Sequence, residues 1–125
     1  MNVGTTLPEL SLDATPTFVV STAIATRDFQ EVHHDRDLAV ARGSQDIFVN
    51  ILTTTGLVQR YVTDWAGPRA RVGAVKIRLG VPCYAYDRLT FSGSVTAVDG
   101  NVLTVAVIGA VSRGDHVRGT VQVTL

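Results

Sequence analysis

Cysteine is almost missing from this chain, and so is lysine. Cys83 is the only thiol among 125 residues, which excludes an intrachain disulfide and a cysteine zinc cluster. A lone thiol fits a reducing compartment. Lys76 is the only lysine, and acids and bases balance at 11 each. The bases are otherwise scattered arginines with no polybasic run, so nothing electrostatic points to nucleic acid or an anionic membrane. Long apolar runs are absent as well. No stretch approaches the ~20 residues of a bilayer span, and the opening MNVGTTLPEL lacks the basic and apolar regions of a signal peptide. The expected location is the cytoplasm. There is no internal repeat and no low-complexity segment, so the length predicts a single domain over 1–125 with its own core.

What is present changes character near Pro68. Before it, TFVVSTAIA (17–25) is rich in β-branched residues and predicts a first strand. DLAVA (37–41) predicts a short helix. In SQDIFVNILTTTGLVQRYVTDWAG, the residues Phe48, Ile51, Leu52, Val58, Val62 and Trp65 recur near three- and four-residue spacing. That is one face of a long helix, with Ser44 as its cap and Gly67-Pro68 as its end. Three consecutive threonines and Gly56 are poor helix formers, so burial has to hold this helix together.

After Pro68 the pattern is strand. ARVGAVKIRLG, DRLTFSGSVTAV, GNVLTVAVIGAV and DHVRGTVQVTL follow one another, with a turn signal at Asp99-Gly100-Asn101. In the last of them Val117, Val121, Val123 and Leu125 share one parity. Four such strands joined by short turns predict an antiparallel meander. One strand, one long helix and four antiparallel strands make an α+β plan in which a sheet wraps a helix. That is the element order of the hot-dog fold; a small barrel is the alternative the meander alone allows. Hot-dog units usually pair, so a dimer or heterodimer is expected.

The unusual segment is RDFQEVHHDRDLAVARG (27–43), with two adjacent histidines, four carboxylates and three arginines. Neighbouring histidines point about 100° apart on a helix and to opposite faces of a strand, which argues against a shared metal. Asp28 and His33 stand about 140° apart on an ideal helix. They converge only if the backbone leaves helical geometry between them. A solvated polar helix is the plain alternative.

This segment resembles the hydratase signature of the MaoC-like (R)-specific enoyl-CoA hydratases, a pattern of the form G-D-x-N-P-x-H-x-D-x-x-x-A-x-x-x-G. Asp28, His33, Asp35, Ala39 and Gly43 fall at matching places, while Arg27, Gln30 and Glu31 replace the glycine, asparagine and proline. ATRDFQEVHHDRD, DIFVNIL, TGLVQRYVTDWAGP and RLGVP-YAYD are similar to the small subunits of heteromeric steroid side-chain enoyl-CoA hydratases. The resemblance implies a catalytic pair, Asp28 and His33, that activates water, with the question of which is the base left open. It implies an oxyanion donor in the backbone N–H around Asn50, whose side chain need not matter. It also implies a CoA thioester substrate without a further cofactor, no metal, and a second MaoC-like subunit in a heterodimer or heterotetramer.

Other polar residues receive no chemistry. His34 and Asp35 are expected to orient the loop, and His116 to lie on the surface. Cys83 reads as packing, and Tyr61 and Trp65 as core or interface. Two rival functions share the fold. One is an acyl-CoA thioesterase, which would place its carboxylate on the central helix; residues 47–63 contain none. The other is a non-catalytic subunit shaping a partner's pocket, against which stands the presence of both Asp28 and His33.

Overall fold

A computed structural model describes residues 1–125. The chain runs through β1 (Thr6–Asp13), α1 (Pro16–Ala25), a 3-10 turn (Glu31–His33), α2 (Arg36–Ala41), α3 (Ile51–Ala66), β2 (Arg71–Leu79), β3 (Arg88–Asp99), β4 (Val102–Val111) and β5 (Gly114–Thr124). The five strands form one antiparallel sheet in the order β1-β3-β4-β5-β2. The sheet folds over α3, which touches strands at both of its edges.

The long helix forms because its inward side is apolar where burial requires it. Leu57, Val58, Tyr61 and Val62 are buried together with Thr53 and Thr54. Phe91 of β3 is fully enclosed, and its ring stacks on Tyr61 at 5.6 Å. Gly93, next along that face, is needed for this approach: a Cβ there would stand 2.8 Å from the Ala106 carbonyl and 3.2 Å from the Tyr61 ring. Gly67, at φ 98°, ends the helix as expected.

Several expectations need correction. Residues 44–50 are not helical, and Ser44 is not the cap. Phe48 instead bridges Tyr84, the Val49 N–H donates to the Cys83 carbonyl, and the Ala85 N–H donates to the Ile47 carbonyl. Those backbone groups are spent on the 83–85 segment, so α3 starts only at Ile51, with Asn50 capping it. Ile51 and Leu52, expected in the core, are 51% and 54% exposed.

TFVVSTAIA is helix rather than strand. Pro16 sits in the first turn and Thr15 Oγ1 accepts the Phe18 N–H at 3.1 Å, which together nucleate a helix despite the β-branched composition. The first strand lies earlier, in TLPELSLD, as an edge strand that tolerates Pro8 beside an irregularity between Leu7 and Leu10.

Only β3, β4 and β5 form a meander. β2 pairs with β5 rather than β3, so residues 80–87 must carry the chain back across the sheet. A register shift between Val72 and Val75 also moves the half-buried residues of β2 to Val72, Val75 and Ile77. In β5, Val117, Val121 and Val123 are buried, while Leu125 is 44% exposed at the chain end.

Removing the Phe91 ring empties the contact between sheet and helix. Phe91→Ala should lower unfolding free energy by about 3–5 kcal/mol. Phe29→Ala, at a residue 66% exposed, should stay within about 0.5 kcal/mol. Urea unfolding of both variants checks this.

Candidate active site

Three backbone irregularities bring Asp28 and His33 together. First, α1 closes in a Schellman arrangement: the Arg27 N–H donates to the Ile24 carbonyl and the Asp28 N–H to the Ala23 carbonyl, both at 2.9 Å. Arg27 holds the left-handed position of that motif at φ 55°, a place that usually belongs to glycine. Second, Gln30 is extended at φ −62° and ψ 136°. Third, Glu31–His33 winds as a tight 3-10 turn and buries the imidazole. The angular separation of an ideal helix therefore never applies. His33 Nε2 lies 3.4 Å from Asp28 Oδ2.

The protonation pattern of the pair follows from its other partners. His33 Nδ1 is 2.8 Å from the Phe48 carbonyl oxygen. A carbonyl only accepts, so Nδ1 carries the hydrogen and Nε2 of the neutral ring presents a lone pair. The Phe48 ring stands edge-on to the imidazole at 4.8 Å and holds its plane. Asp28 Oδ1 accepts the Gln30 N–H at 3.3 Å and Oδ2 accepts Asn50 Nδ2 at 3.1 Å. Burial pushes the Asp28 carboxyl up, but the hydrogen bonds from Asn50 and Gln30 and the nearby His33 outweigh it, leaving the pKa below its ordinary value.

The Asn50 side chain has structural partners of its own. Its Nδ2 also donates to Thr26 Oγ1 at 2.9 Å, and its Oδ1 accepts the Thr53 N–H at 3.2 Å as the cap of α3. The side chain that seemed dispensable is thus a structural member of the site. The Asn50 and Ile51 backbone N–H groups make no hydrogen bond within the protein. Both residues line a cleft of about 300 Å³ that also holds Asp28 and His33. Its far wall is Leu79, Gly80, Val81 and Pro82.

His116 is the clearest departure from expectation. It is only 3% exposed and lines the same cleft. The reason is the β2–β3 crossover, which folds residues 80–82 over the start of β5. A histidine beside a turn signal carries no mark of this in sequence. Asp35 caps α2 by accepting the Leu38 N–H at 3.1 Å, and His34 is absent from the cleft lining. Cys83 is fully buried, and burial, with a smaller contribution from Asp87, pushes its thiol up to about 12. It is inert packing. Tyr61 is core, its hydroxyl donating to the Pro8 carbonyl at 2.8 Å.

A sheet wrapped around one long helix defines a fold class, and structural comparison places the chain in it. The (R)-hydratase from A. caviae involved in PHA biosynthesis superposes with a TM-score of 0.91 at 20% identity, over 100% of this chain and 97% of that one. This is the hot-dog fold. The ChsH1-ChsH2 complex of Mycobacterium tuberculosis matches at TM-score 0.98 and 65% identity, covering 99% of this chain and 98% of that one. No protein-family model matches. The beta subunit of 3-oxo-4,17-pregnadiene-20-carboxyl-CoA hydratase from Mycobacterium tuberculosis H37Rv is 66% identical over 123 residues, 98% of this chain and 95% of that protein. The chain belongs to the family of that hydratase beta subunit.

Because the folded pKa of Asp28 is depressed, its ionisation contributes stability that is present above the unfolded-state pKa and lost as pH falls through the folded value. Asn50→Ala removes the carboxylate's side-chain donor while leaving its burial. The Asp28 pKa should rise, moving the acid loss of stability to higher pH, and the lost cap should cost about 0.5–2 kcal/mol. Carboxyl titration by NMR and urea unfolding across the acid range measure both.

Proposed function

We propose that this chain is the catalytic subunit of a heteromeric enoyl-CoA hydratase, adding water across the conjugated double bond of a steroid side-chain 2-enoyl-CoA. One observation carries the reading. Asp28 Oδ2 and His33 Nε2 face each other at 3.4 Å, both as acceptors when the ring is neutral. A water molecule donating one hydrogen to each satisfies both and turns its lone pair outward, toward a substrate carbon. Asp28 and His33 are the catalytic residues of this proposal.

The reaction then balances simply. The water oxygen bonds to Cβ as the pair takes one of its protons. The electron pair of the double bond moves through Cα to the thioester oxygen. A proton returned through the same pair reaches Cα, so the enzyme ends as it began. The developing charge on the thioester oxygen needs donors that are already oriented. The unpaired N–H groups of Asn50 and Ile51, at the positive end of the 16-residue α3, fit that need. The CoA thioester is the substrate, and the chemistry calls for no further cofactor.

Substrate bulk argues for a partner. In the substrate named for the M. tuberculosis relative, the conjugated bond joins C17 of the steroid to C20, so Cβ is itself a ring carbon. A cleft of about 300 Å³ stands at the lower end of the ~300–1,000 Å³ typical of small-molecule sites. It has little room for both a CoA chain and the four rings, so a second hot-dog subunit would complete it. Ile51 and Leu79, which line the cleft and are 51% and 42% exposed, offer apolar surface for nucleus or partner. We infer a cytoplasmic heterodimer or heterotetramer. The thioesterase alternative is disfavoured because the only carboxylate on α3 is Asp64, 61% exposed at the far end.

Asp28→Asn and His33→Ala, each co-purified with the partner subunit, should lose about 10²- to 10⁴-fold in steroid enoyl-CoA hydration while assembling normally. Full activity in both complexes would remove the catalytic assignment. Size analysis of the chain alone and with the partner tests the assembly; a homodimer active by itself would contradict it.

A further inference from the structure

We propose that His116 is a positioning residue that fixes, through Thr54 on one side and Val81 on the other, the separation of the two walls of the hydration cleft. The inference rests on the hydratase reading and extends it to a residue outside the catalytic pair.

Both ring nitrogens of His116 are committed. Nδ1 lies 2.8 Å from the Val81 carbonyl oxygen, and Nε2 lies 2.8 Å from Thr54 Oγ1. The carbonyl accepts only, so Nδ1 donates. Nε2 of the neutral ring then accepts, and the Thr54 hydroxyl donates to it. Burial pushes the pKa of His116 down, against the hydrogen bond to Val81, in keeping with a neutral ring. No ring nitrogen is left for proton transfer with a substrate, which separates this histidine from His33 and makes its role one of placement.

What it places are the parts that face the reaction. Thr54 belongs to the first turn of α3, and its N–H donates to the Asn50 carbonyl at 3.1 Å. That turn carries the unpaired Asn50 and Ile51 amides. On the opposite side, the Gly80 N–H donates to the His116 carbonyl at 2.8 Å and the Val81 N–H to the Asp115 carbonyl at 3.0 Å. Gly80 lies so close that a Cβ there would meet the Asp115 carbonyl oxygen at 2.2 Å. The 80–82 wall is therefore anchored to the start of β5, and the imidazole is the side-chain link from that anchored wall to the oxyanion turn. A break in this link leaves both walls intact and loosens the gap between them. Such a change acts on the alignment of the thioester with its donors and with the catalytic pair, where an error near 1 Å costs on the order of 10²-fold in rate.

The test uses the assembled complex. Thr54→Val is nearly isosteric and deletes only the donor to Nε2; Thr54→Ser restores it. His116→Asn is a second route, keeping an N–H for the Val81 carbonyl but falling short of Thr54. The expected result is a kcat about 10- to 100-fold lower in Thr54→Val and His116→Asn, with KM moved much less, and near-normal kcat in Thr54→Ser. A merely structural role would lower stability or yield without that split and without rescue by serine. Wild-type kcat in either assembled Thr54→Val or His116→Asn overturns the proposal.

Hydrogen exchange at the Gly80 and Val81 amides supplies a readout independent of turnover. It should speed at least about tenfold in Thr54→Val, which corresponds to ~1.4 kcal/mol of lost protection, and unchanged exchange also overturns the proposal. Asp28→Asn in parallel keeps the two readings apart. If it remains active, the hydratase assignment of Asp28 fails while exchange still decides the role of His116. If it is inactive and Thr54→Val is not impaired, only the positioning role fails.

Discussion

The side-chain amide of Asn50 is the joint on which the site depends. One planar group caps α3 through Thr53, ties the end of α1 through Thr26, and holds the Asp28 carboxylate. Helix α3 is packed by the sheet, so the cap fixes where a rigid body begins. Because the same amide grips the carboxylate, the acid is positioned relative to that rigid body and not merely relative to its own loop. Any movement of Asp28 away from the helix start has to break a bond made by a residue only 1% exposed, where an unpaired amide cannot turn to water. The overhanging segment 26–33 is thereby tied to the core at Asp28, although Phe29 and Gln30 face outward.

The site is assembled from features that the rest of the fold would avoid. An arginine occupies a left-handed backbone position at Arg27. Two lone-pair-bearing atoms face each other across 3.4 Å, and two backbone amides at the head of a helix have no internal partner. Each is unfavourable alone, on the scale of a kcal/mol or a few. They lie at or beside one cleft, which is what the proposed binding of a water and a polarised thioester requires. Stability comes from elsewhere, chiefly from the face where Phe91, Tyr61, Val58 and the valines of β4 and β5 interlock. The division is spatial, with an apolar centre and one strained, polar end.

Much of this was legible in the chain before any coordinates. The alternation in four strands after Pro68, the end of the long helix at Gly67, and the short helix near DLAVA are local signals, and they survive because nothing tertiary competes with them. Four readings differ from the structure, one through a local cap and three through tertiary contacts. The composition of TFVVSTAIA is strand-like, but Thr15 and Pro16 start a helix, and a cap outweighs weak propensity in so short a segment. Phe48 fits the helical period, yet its backbone is claimed by Tyr84, a pairing across 36 residues that no local pattern records. β2 looks like the first arm of a meander, but its partner is the last strand, so the crossover that builds the cleft wall was invisible. With the wall unseen, His116 had no reason to be placed inside. Asn50 is the exception in kind: an asparagine just before an apolar helix is a local capping signal, and its Oδ1 accepts the Thr53 N–H three residues on.

In the proposed reading, the location of the carboxylate is what suits this fold to hydration. A sheet wrapped around a helix always leaves that helix's N-terminus at one end with unpaired amides, ready to bind a carbonyl oxygen, and that alone serves several reactions of thioesters. The difference lies in where an acid stands relative to that oxygen. On the helix itself it would follow the donors in the same rigid element. Here it arrives from the other side, on the segment between α1 and the 3-10 turn, paired with an imidazole whose tautomer is fixed by the Phe48 carbonyl. In the proposed reaction, donors for the oxygen and acceptors for a water then belong to different elements that line one cleft. Addition to a double bond needs that arrangement, because the nucleophile must meet Cβ while the charge collects on the thioester oxygen further along the conjugated system. Asn50 alone belongs to both sides, and this explains why a residue without acid–base chemistry is the most constrained in the site.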